Sequence, residues 1–492
     1  MKILDWLAAS AVEEPEMPAK NMDSTTFTCA RPPGRCPTMA REKRTNRSVM
    51  PPTFIRLAAS RKNGTASWIL FGVFFGLMAL RVPVAVALGL ACLPILIIEP
   101  RLDSMQLVQE TFNAYNSFIL LAVPFFLLAA NLMNAGGITD RLVRFSRALV
   151  GHFPGGLAQV NVVLSIFFAG ISGSSTADAA SQSKIFIEAQ TKEGYDLSFS
   201  VAITAVSAVL AVIIPPSILM IVWGGVLTVS IGALFLAGII PGLLIGLVQM
   251  ATVHAYAKLR NYPTYPRATF GEFLSSAAVS IPALLMPVII IGGKGWFTAT
   301  EAAGIAVLYA ILLSAFFYRE LSFKGLYGAL LDTGRLAAVA LFCVGTASAF
   351  GWLLAYYQIP KAILAGVSAW QMGLYTSGFF IAGVFLVVGC FLDAIPAIII
   401  VGTILQPLAQ AVHMHPVHFA MIGIVSLAFG LVTPPYGLCL MISCSVAGIR
   451  MIDALKDTFI MLLPMLGVLA LVILWPDVVL FLPKIVSPEF LK

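Results

Sequence analysis

Long apolar runs separated by short polar turns fill the chain from Trp68 to about Leu482. A helix that crosses a bilayer needs roughly 20 mostly apolar residues. Ten or more segments approach that length, so the pattern predicts an all-α polytopic membrane protein. Spans are expected at 117–134, 227–256, 278–292, 302–317, 336–355 and 459–482. Residues 68–98, interrupted by "ALRVPVA", give either one long bent helix or two shorter ones. Arg141, Arg144 and Arg147 in the loop after 134 predict a cytoplasmic side there.

Two stretches break this pattern, and they break it in the same way. The segment "GISGSSTADAAS", 170–181, is polar within an apolar neighbourhood. The runs beside it, Leu157 to Gly170 and Ser175 to Gln190, would be about 21 and 24 Å of helix at ~1.5 Å per residue. Both fall short of the ~30 Å of hydrocarbon, so a re-entrant hairpin is expected, with "SGSS" at its tip. The following run, 199–223, is broken by Pro215-Pro216, which removes amide donors and leaves carbonyls without helical partners. Residues 379–410, with "CFLDAIP" at the tip, read as a second hairpin, and the next span is broken by Pro434-Pro435. Gly173 precedes Pro215 by 42 positions and Cys390 precedes Pro434 by 44. Two repeats are therefore expected, at about 157–223 and 379–448. Paired interrupted segments mark the substrate and ion site of secondary transporters.

Composition agrees with the pattern: 59% of the 492 residues are hydrophobic and only 11% charged, against about 25% in soluble domains. The net charge of +7 fits basic cytoplasmic loops and does not point to nucleic acid. Residues 1–65, polar, basic and Pro-containing, are expected to be a disordered extension, with Met50 as an alternative start and no signal peptide in "ILDWLAASAV". The permease domain is placed at 66–482 and a C-terminal tail at 483–492. The seven cysteines form no CxxC pair, and five lie in apolar segments as small core residues.

Candidate chemistry concentrates at the two tips. Ser175-Thr176-Ala177-Asp178 fits a capping box with Ser175 as N-cap, and the Gly and Ser oxygens around it suit a hard cation. Asp393, an acid within a span, is a functional candidate whose plainer role is an N-cap. Thr433, just before the second Pro-Pro, either serves the site or satisfies the broken backbone. Thr298 and Glu301 form a second capping box, and Lys184 could pair with Glu188 four residues on. "HMHPVH", 413–418, reads as a loop rather than a metal site, and the absence of GxxxxGK[ST] argues against ATP hydrolysis. Gly170-Ile171-Ser172-Gly173 also matches the GxSG of rhomboid-type intramembrane serine proteases. That alternative needs a histidine base near Ser172, and none sits in the middle of a span.

The motifs "GGLAQVNVVLSIFFAGISGSSTADAA", "KEGYD", "IIPPSI", "SIGALFLAGIIPGLL", "FTATEAA" and "PVHFAMIGIVSLAFGLVTPPYGLCL" together resemble the large membrane (permease) subunit of tripartite ATP-independent periplasmic (TRAP) transporters, over about residues 66–482. The resemblance implies an elevator-type fold in the cytoplasmic (inner) membrane of a bacterium, with no enzymatic activity. It implies sodium-driven transport of a small organic acid, such as a dicarboxylate. The partners implied are a periplasmic solute-binding protein and a small four-helix membrane subunit. It maps one sodium site to Ser172, Gly173, Ser175, Ile214 and Pro215, and another to Gly389, Asp393, Gly430 and Thr433. Substrate contacts are expected from Ser174, Asp178, Ser217 and Thr433. The chain departs from the family pattern at Ser183, Lys184 and Glu188, where Gly, Ser and Pro are usual. It departs again at Ala130-Asn131, where Gly and Glu are common, and at Ala299, where Pro is.

Overall fold

The computed structural model describes residues 52–80, 82–99, 101–292, 297–368 and 372–491. The chain divides into two units, 1–55 and 56–492. Most of the first, and most of the expected N-terminal extension, lies outside the described residues; everything below concerns the second. Among the described residues the first helix is Pro52–Ala79; its part in the second unit, from Arg56, already lies in the stretch read as irregular. "FIRLAAS" is built of helix-compatible residues, and proline is tolerated in a first turn.

Among the described residues the structure is helical throughout, with eight helices long and apolar enough to cross a membrane and seven shorter apolar ones. The run 68–98 is two helices, the second being Val84–Ile98, with the break just before Pro83. The expected span 336–355 is the end of a longer helix, Phe323–Tyr356, whose first turns are too polar to register as a span. The closing run 459–482 is likewise split, into Met451–Leu474 and Asp477–Val486, by Trp475-Pro476.

Both hairpins form. The first has arms Gly156–Ser172 and Ser175–Lys192; the second has arms Leu374–Phe391 and Ala394–Ala411, the latter with a π-helical turn at Ile398–Gly402. Each is followed by a broken helix: Leu197–Ala208, extended by the 3-10 turn Val209–Val212, then Ile218–Leu227; and Pro416–Gly430 then Leu438–Ala447. The repeats interlock. The second arm of the first hairpin packs on the last half-helix of the second repeat as well as on its own broken helix. There Ser183 Oγ donates to Ser443 Oγ at 2.9 Å. Trp223, fully buried in the last half-helix of the first repeat, reaches into the second, with ring centroids 5.5 Å from Phe385 and 5.3 Å from Phe419.

Outside this core, Ala122–Ala135 packs on Ala299–Leu312 and on Phe323–Tyr356. Asn131 Nδ2, one of the unusual residues of this chain, donates to Thr333 Oγ1 at 2.8 Å in that interface. At the base of the first repeat, Asp457 accepts from Ser198 Oγ at 2.6 Å and from the Tyr256 hydroxyl, and Arg260 pairs with Asp196. The expected Lys184–Glu188 pair is absent: Glu188 takes Lys192 instead, at 2.6 Å. Both spacings are i,i+4, but Glu before Lys in the chain is the more favourable order on a helix.

A Cβ on Gly423 would come within 2.3 Å of Trp223 Cη2, whereas one on Gly467 would meet nothing within 4 Å. Gly423→Ala should therefore cost about 1–3 kcal/mol through overpacking. Gly467→Ala should be neutral or slightly stabilising in its helix. Thermal unfolding of the two purified variants checks this; equal melting temperatures would contradict the interlock.

Candidate substrate and ion site between the hairpin tips

The first tip is two residues long. Gly173 ends one arm at φ +66° and Ser174 begins the next as its N-cap, its Oγ accepting from Ala177 N at 3.5 Å. The cap is thus one residue earlier than the sequence pattern gave. In consequence Asp178 sits at the fourth position of the helix rather than the third, and does not close a capping box. Ser172 Oγ accepts from Ser174 N at 3.4 Å. The tip rests on the break of its own broken helix: Ile218 N donates to Gly173 O at 3.3 Å. A Cβ on Gly173 would approach Pro216 O to 2.6 Å, so both the positive φ and the close approach require glycine.

The break itself is repaired from within. Prolines 215 and 216, joined by a cis bond, supply no amide protons. Ser217 Oγ donates to Val212 O at 2.7 Å, on the far side of the break, and caps the next half-helix by accepting from Met220 N.

The second tip repeats the plan with different parts. Asp393 is the N-cap, its Oδ1 accepting from Ala394 N at 2.7 Å. Tyr436 N donates to Cys390 O at 3.2 Å, the counterpart of the Ile218–Gly173 bond. Gly389 and Gly430 face each other so closely that a Cβ on Gly430 would fall 2.6 Å from Gly389 Cα. Thr433 Oγ1 donates to Phe429 O at 2.7 Å, and Cys439 N bridges the break to Leu431 O at 2.9 Å. Here the left-handed glycine lies in the break, at Gly437, not in the tip.

Each tip meets a break that has helix on both sides, so both hairpins end part-way along the helices they pack against. Between them lies a cavity of about 880 Å³. Gly173–Thr176 and Asp393–Ile395 form its two polar ends, and Leu336, Val339 and Cys343 of the long helix Phe323–Tyr356 close one side. The second arms of both hairpins begin at this cavity. Their first-turn amides have no intrahelical partners, and the N-terminal ends carry partial positive charge.

Against this geometry the comparisons with known proteins are decisive. The family model "Tripartite ATP-independent periplasmic transporter, DctM component" matches residues 71–478. The chain belongs to this TRAP transporter family. The uncharacterized protein YgiK of Salmonella typhimurium is 38% identical over 429 residues, covering 86% of this chain and 98% of that one. The C4-dicarboxylate TRAP transporter large permease protein DctM of Pseudomonas aeruginosa is 36% identical over 407 residues (81% and 94%). The sialic acid TRAP transporter large permease protein SiaM of Vibrio cholerae is 35% identical over 418 residues (85% and 98%). The chain is thus a TRAP permease of the inner membrane, and not an enzyme. The protease reading of Ser172 finds no support in it.

Of the residues assigned to substrate from the sequence, Ser174 lines the cavity of this TRAP permease. Asp178 faces a separate small pocket, shared with Ser172, Ser181 and Asn131. The hydroxyls of Ser217 and Thr433 are bonded to backbone carbonyls beside it. Of the residues assigned to sodium, Gly173, Ser175 and Asp393 line the cavity, while Ile214 and Pro215 lie in the first break and Gly389 and Gly430 in the second contact. Tyr436, absent from the sequence-derived site, also lines the cavity. Alignment of the two Pro-Pro pairs sets it opposite Ser217, a signal that was available. His418, buried, has Nε2 2.9 Å from Val472 O, and no metal-ligand cluster occurs among the described residues.

Removing the Ser217 hydroxyl orphans a buried carbonyl as well as a cap. Ser217→Ala should cost about 1–3 kcal/mol, while Ser174→Ala, which loses a long cap bond and a contact with the neighbouring Thr176 hydroxyl at the cavity wall, should cost about 1 kcal/mol or less. Melting curves of the purified variants should fall in that order; the reverse order would remove Ser217 from the repair of the break.

Proposed function

We propose that this chain is the permease of a sodium-coupled TRAP system that moves a small organic acid across the inner membrane. A periplasmic solute-binding protein delivers the acid, and a small four-helix membrane subunit braces the permease. The observation that carries this reading is the cavity bounded by two hairpin tips, each resting on a Pro-Pro break, with two helix N-termini opening into it. Such ends suit a carboxylate. The relatives named for C4-dicarboxylates and sialic acid transport organic acids by their names, which supports the substrate class. In this reading the interlocked repeats move together as one body against the outer helices, in the manner of an elevator.

The coupling ions occupy the two contacts between tip and break. Ser172, Gly173 and Ser175 with Ile214 and Pro215 form one site; Gly389 and Asp393 with Gly430 and Thr433 form the other. Backbone carbonyls at a proline break and hydroxyl oxygens at a tip are hard ligands of the kind sodium takes.

Two measurements test the proposal. Sodium added to the purified chain in potassium buffer should raise its melting temperature, because an ion that binds only the folded state stabilises it. Uptake into vesicles holding the chain with both partners should show sodium midpoints raised about five- to a hundred-fold by Ser175→Ala and by Thr433→Val, the effect of one lost buried ligand. Potassium acting as well as sodium, together with unshifted midpoints, would overturn the coupling assignment and leave Ser175 a first-turn residue and Thr433 a hydroxyl bonded to Phe429 O.

A further inference from the structure

A second large cavity, about 890 Å³, lies away from the tips. One wall is the helix Ile138–Val150, whose apolar face, Ile138, Leu142, Phe145 and Val150, is buried. Its other face aims Arg141, Arg144 and Arg147 into the cavity, three residues apart and so on one side of a helix. Arg267, on the segment before the helix Phe270–Gly292, joins them.

The acids nearby are largely committed. Glu320 pairs with Arg141 at 2.6 Å, and that hydrogen bond holds its carboxyl below the usual range. Glu272 closes a capping box on Thr269. Four arginines and three acids line the cavity, which leaves it net positive, and Glu320 also feels the charge of Arg144. The Arg147 guanidinium sits over the Tyr265 ring, 4.0 Å from its centroid, and that of Arg141 over Tyr318 at 4.2 Å, which holds both groups in place. Arg144 and Arg267 are exposed and make no hydrogen bond or ion pair among the described residues.

The cavity is charged at one end, and where it borders the helix Phe270–Gly292 its lining is mostly small and polar, with Gly271, Ser275, Ser276 and Ser280 beside Val279. It follows the helix Phe270–Gly292 from Gly271 to Val279, about 12 Å of helix. That helix exposes Leu274, Val279, Ile281, Leu285 and Val288, an apolar surface of the kind that suits lipid. The cavity suits an anionic head, and an apolar tail attached to it would find the exposed Leu274, Ile281 and Leu285 on the outer surface of that helix.

We propose that this groove binds the phosphate headgroup of an anionic phospholipid, with acyl chains lying along Phe270–Gly292. Arg144 and Arg267 are the free guanidinium groups that take the phosphate; planar forks of this kind match its oxygens. Arg141 and Arg147, held over their tyrosines, set the field of the groove. The site also touches the first hairpin through Tyr265. The Tyr265 hydroxyl bonds Glu193 and its amide donates to Gly151 O at 3.0 Å, so a lipid bound there would rest on the joint between the outer helices and the base of the hairpin.

The test uses the full chain in uncharged detergent and a fluorescent phosphatidylglycerol, with binding read by anisotropy. Phosphatidylglycerol should bind at least about tenfold tighter than the matching phosphatidylcholine. The double variant Arg144→Gln with Arg267→Gln should weaken it roughly thirtyfold, and Arg267→Gln alone about fivefold, the effect of losing one or two arginines near a membrane surface. Neither should shift the melting temperature much in lipid-free detergent, since neither side chain makes a hydrogen bond or close ion pair among the described residues. Equal binding of the two lipids, or unchanged affinity in both variants, overturns the proposal. Competition by inorganic phosphate as strong as by the lipid would instead make the groove a free-anion site. Loss of lipid binding once the small membrane subunit is attached would make it a protein interface; either result replaces the lipid.

Discussion

Everything in the core rests on a backbone contact that a lipid-embedded helix could not survive alone. A Pro-Pro pair within a span strips two amide donors and opens the chain, and hydrocarbon offers nothing to the exposed carbonyls. The chain covers each break with the tip of a hairpin. Ile218 N reaches Gly173 O, and Tyr436 N reaches Cys390 O. Gly173 and the facing pair Gly389 and Gly430 let backbone meet backbone without a side chain between. Each hairpin therefore needs its break and each break its hairpin, and the cavity between them follows from that mutual need.

The two repeats reach the same contact by different packing. In the first, polar side chains join the elements: Asn161 Nδ2 donates to Thr204 Oγ1 at 2.8 Å, Ser165 Oγ to Gln182 Oε1 at 2.7 Å, and Gln249 Nε2 to Val206 O at 3.1 Å. In the second, apolar bulk does the joining, with Phe385, Phe419 and the inserted Trp223 at its centre. Ser183, which looked out of place as a departure from the family pattern, belongs to the polar scheme. Its hydroxyl crosses from the first repeat to Ser443 of the second. Asn131, where Glu is common, also finds a polar partner in Thr333, whereas Lys184 makes no hydrogen bond or ion pair among the described residues.

The architecture was legible because its signals are strong ones. Apolar runs of spanning length, two tips of Gly and Ser or Asp, and two Pro-Pro pairs at nearly equal offsets leave few alternatives. What was not legible turns on single-residue geometry. Ser174 and Ser175 both cap well, and only the position of Gly173 at positive φ decides that the helix starts after Ser174. That one-residue shift turns Asp178 away from the cavity, toward Ser172 and Asn131. Hydropathy also missed helix where the residues are polar, as in the first turns of Phe323–Tyr356. Nor could it tell one run from two at Trp475-Pro476, since both sides are apolar.

The charges around the cavity bear on why ion and substrate would travel together. Asp393 stands at one end of it. Two like unit charges ~4 Å apart repel by about 4 kcal/mol at an effective dielectric near 20. An organic acid brought into the same cavity meets that repulsion unless a cation sits between. The helix ends offset part of it, at roughly half a charge each, but they are fixed dipoles and the N-cap carboxylate already draws on one of them. A sodium ion held at the contact between tip and break by Asp393 and backbone oxygens would cancel the carboxylate and leave the helix ends free for the substrate. Under the proposed function, occupancy by acid and by cation are then coupled through one local charge balance, with no need for a signal relayed across the protein.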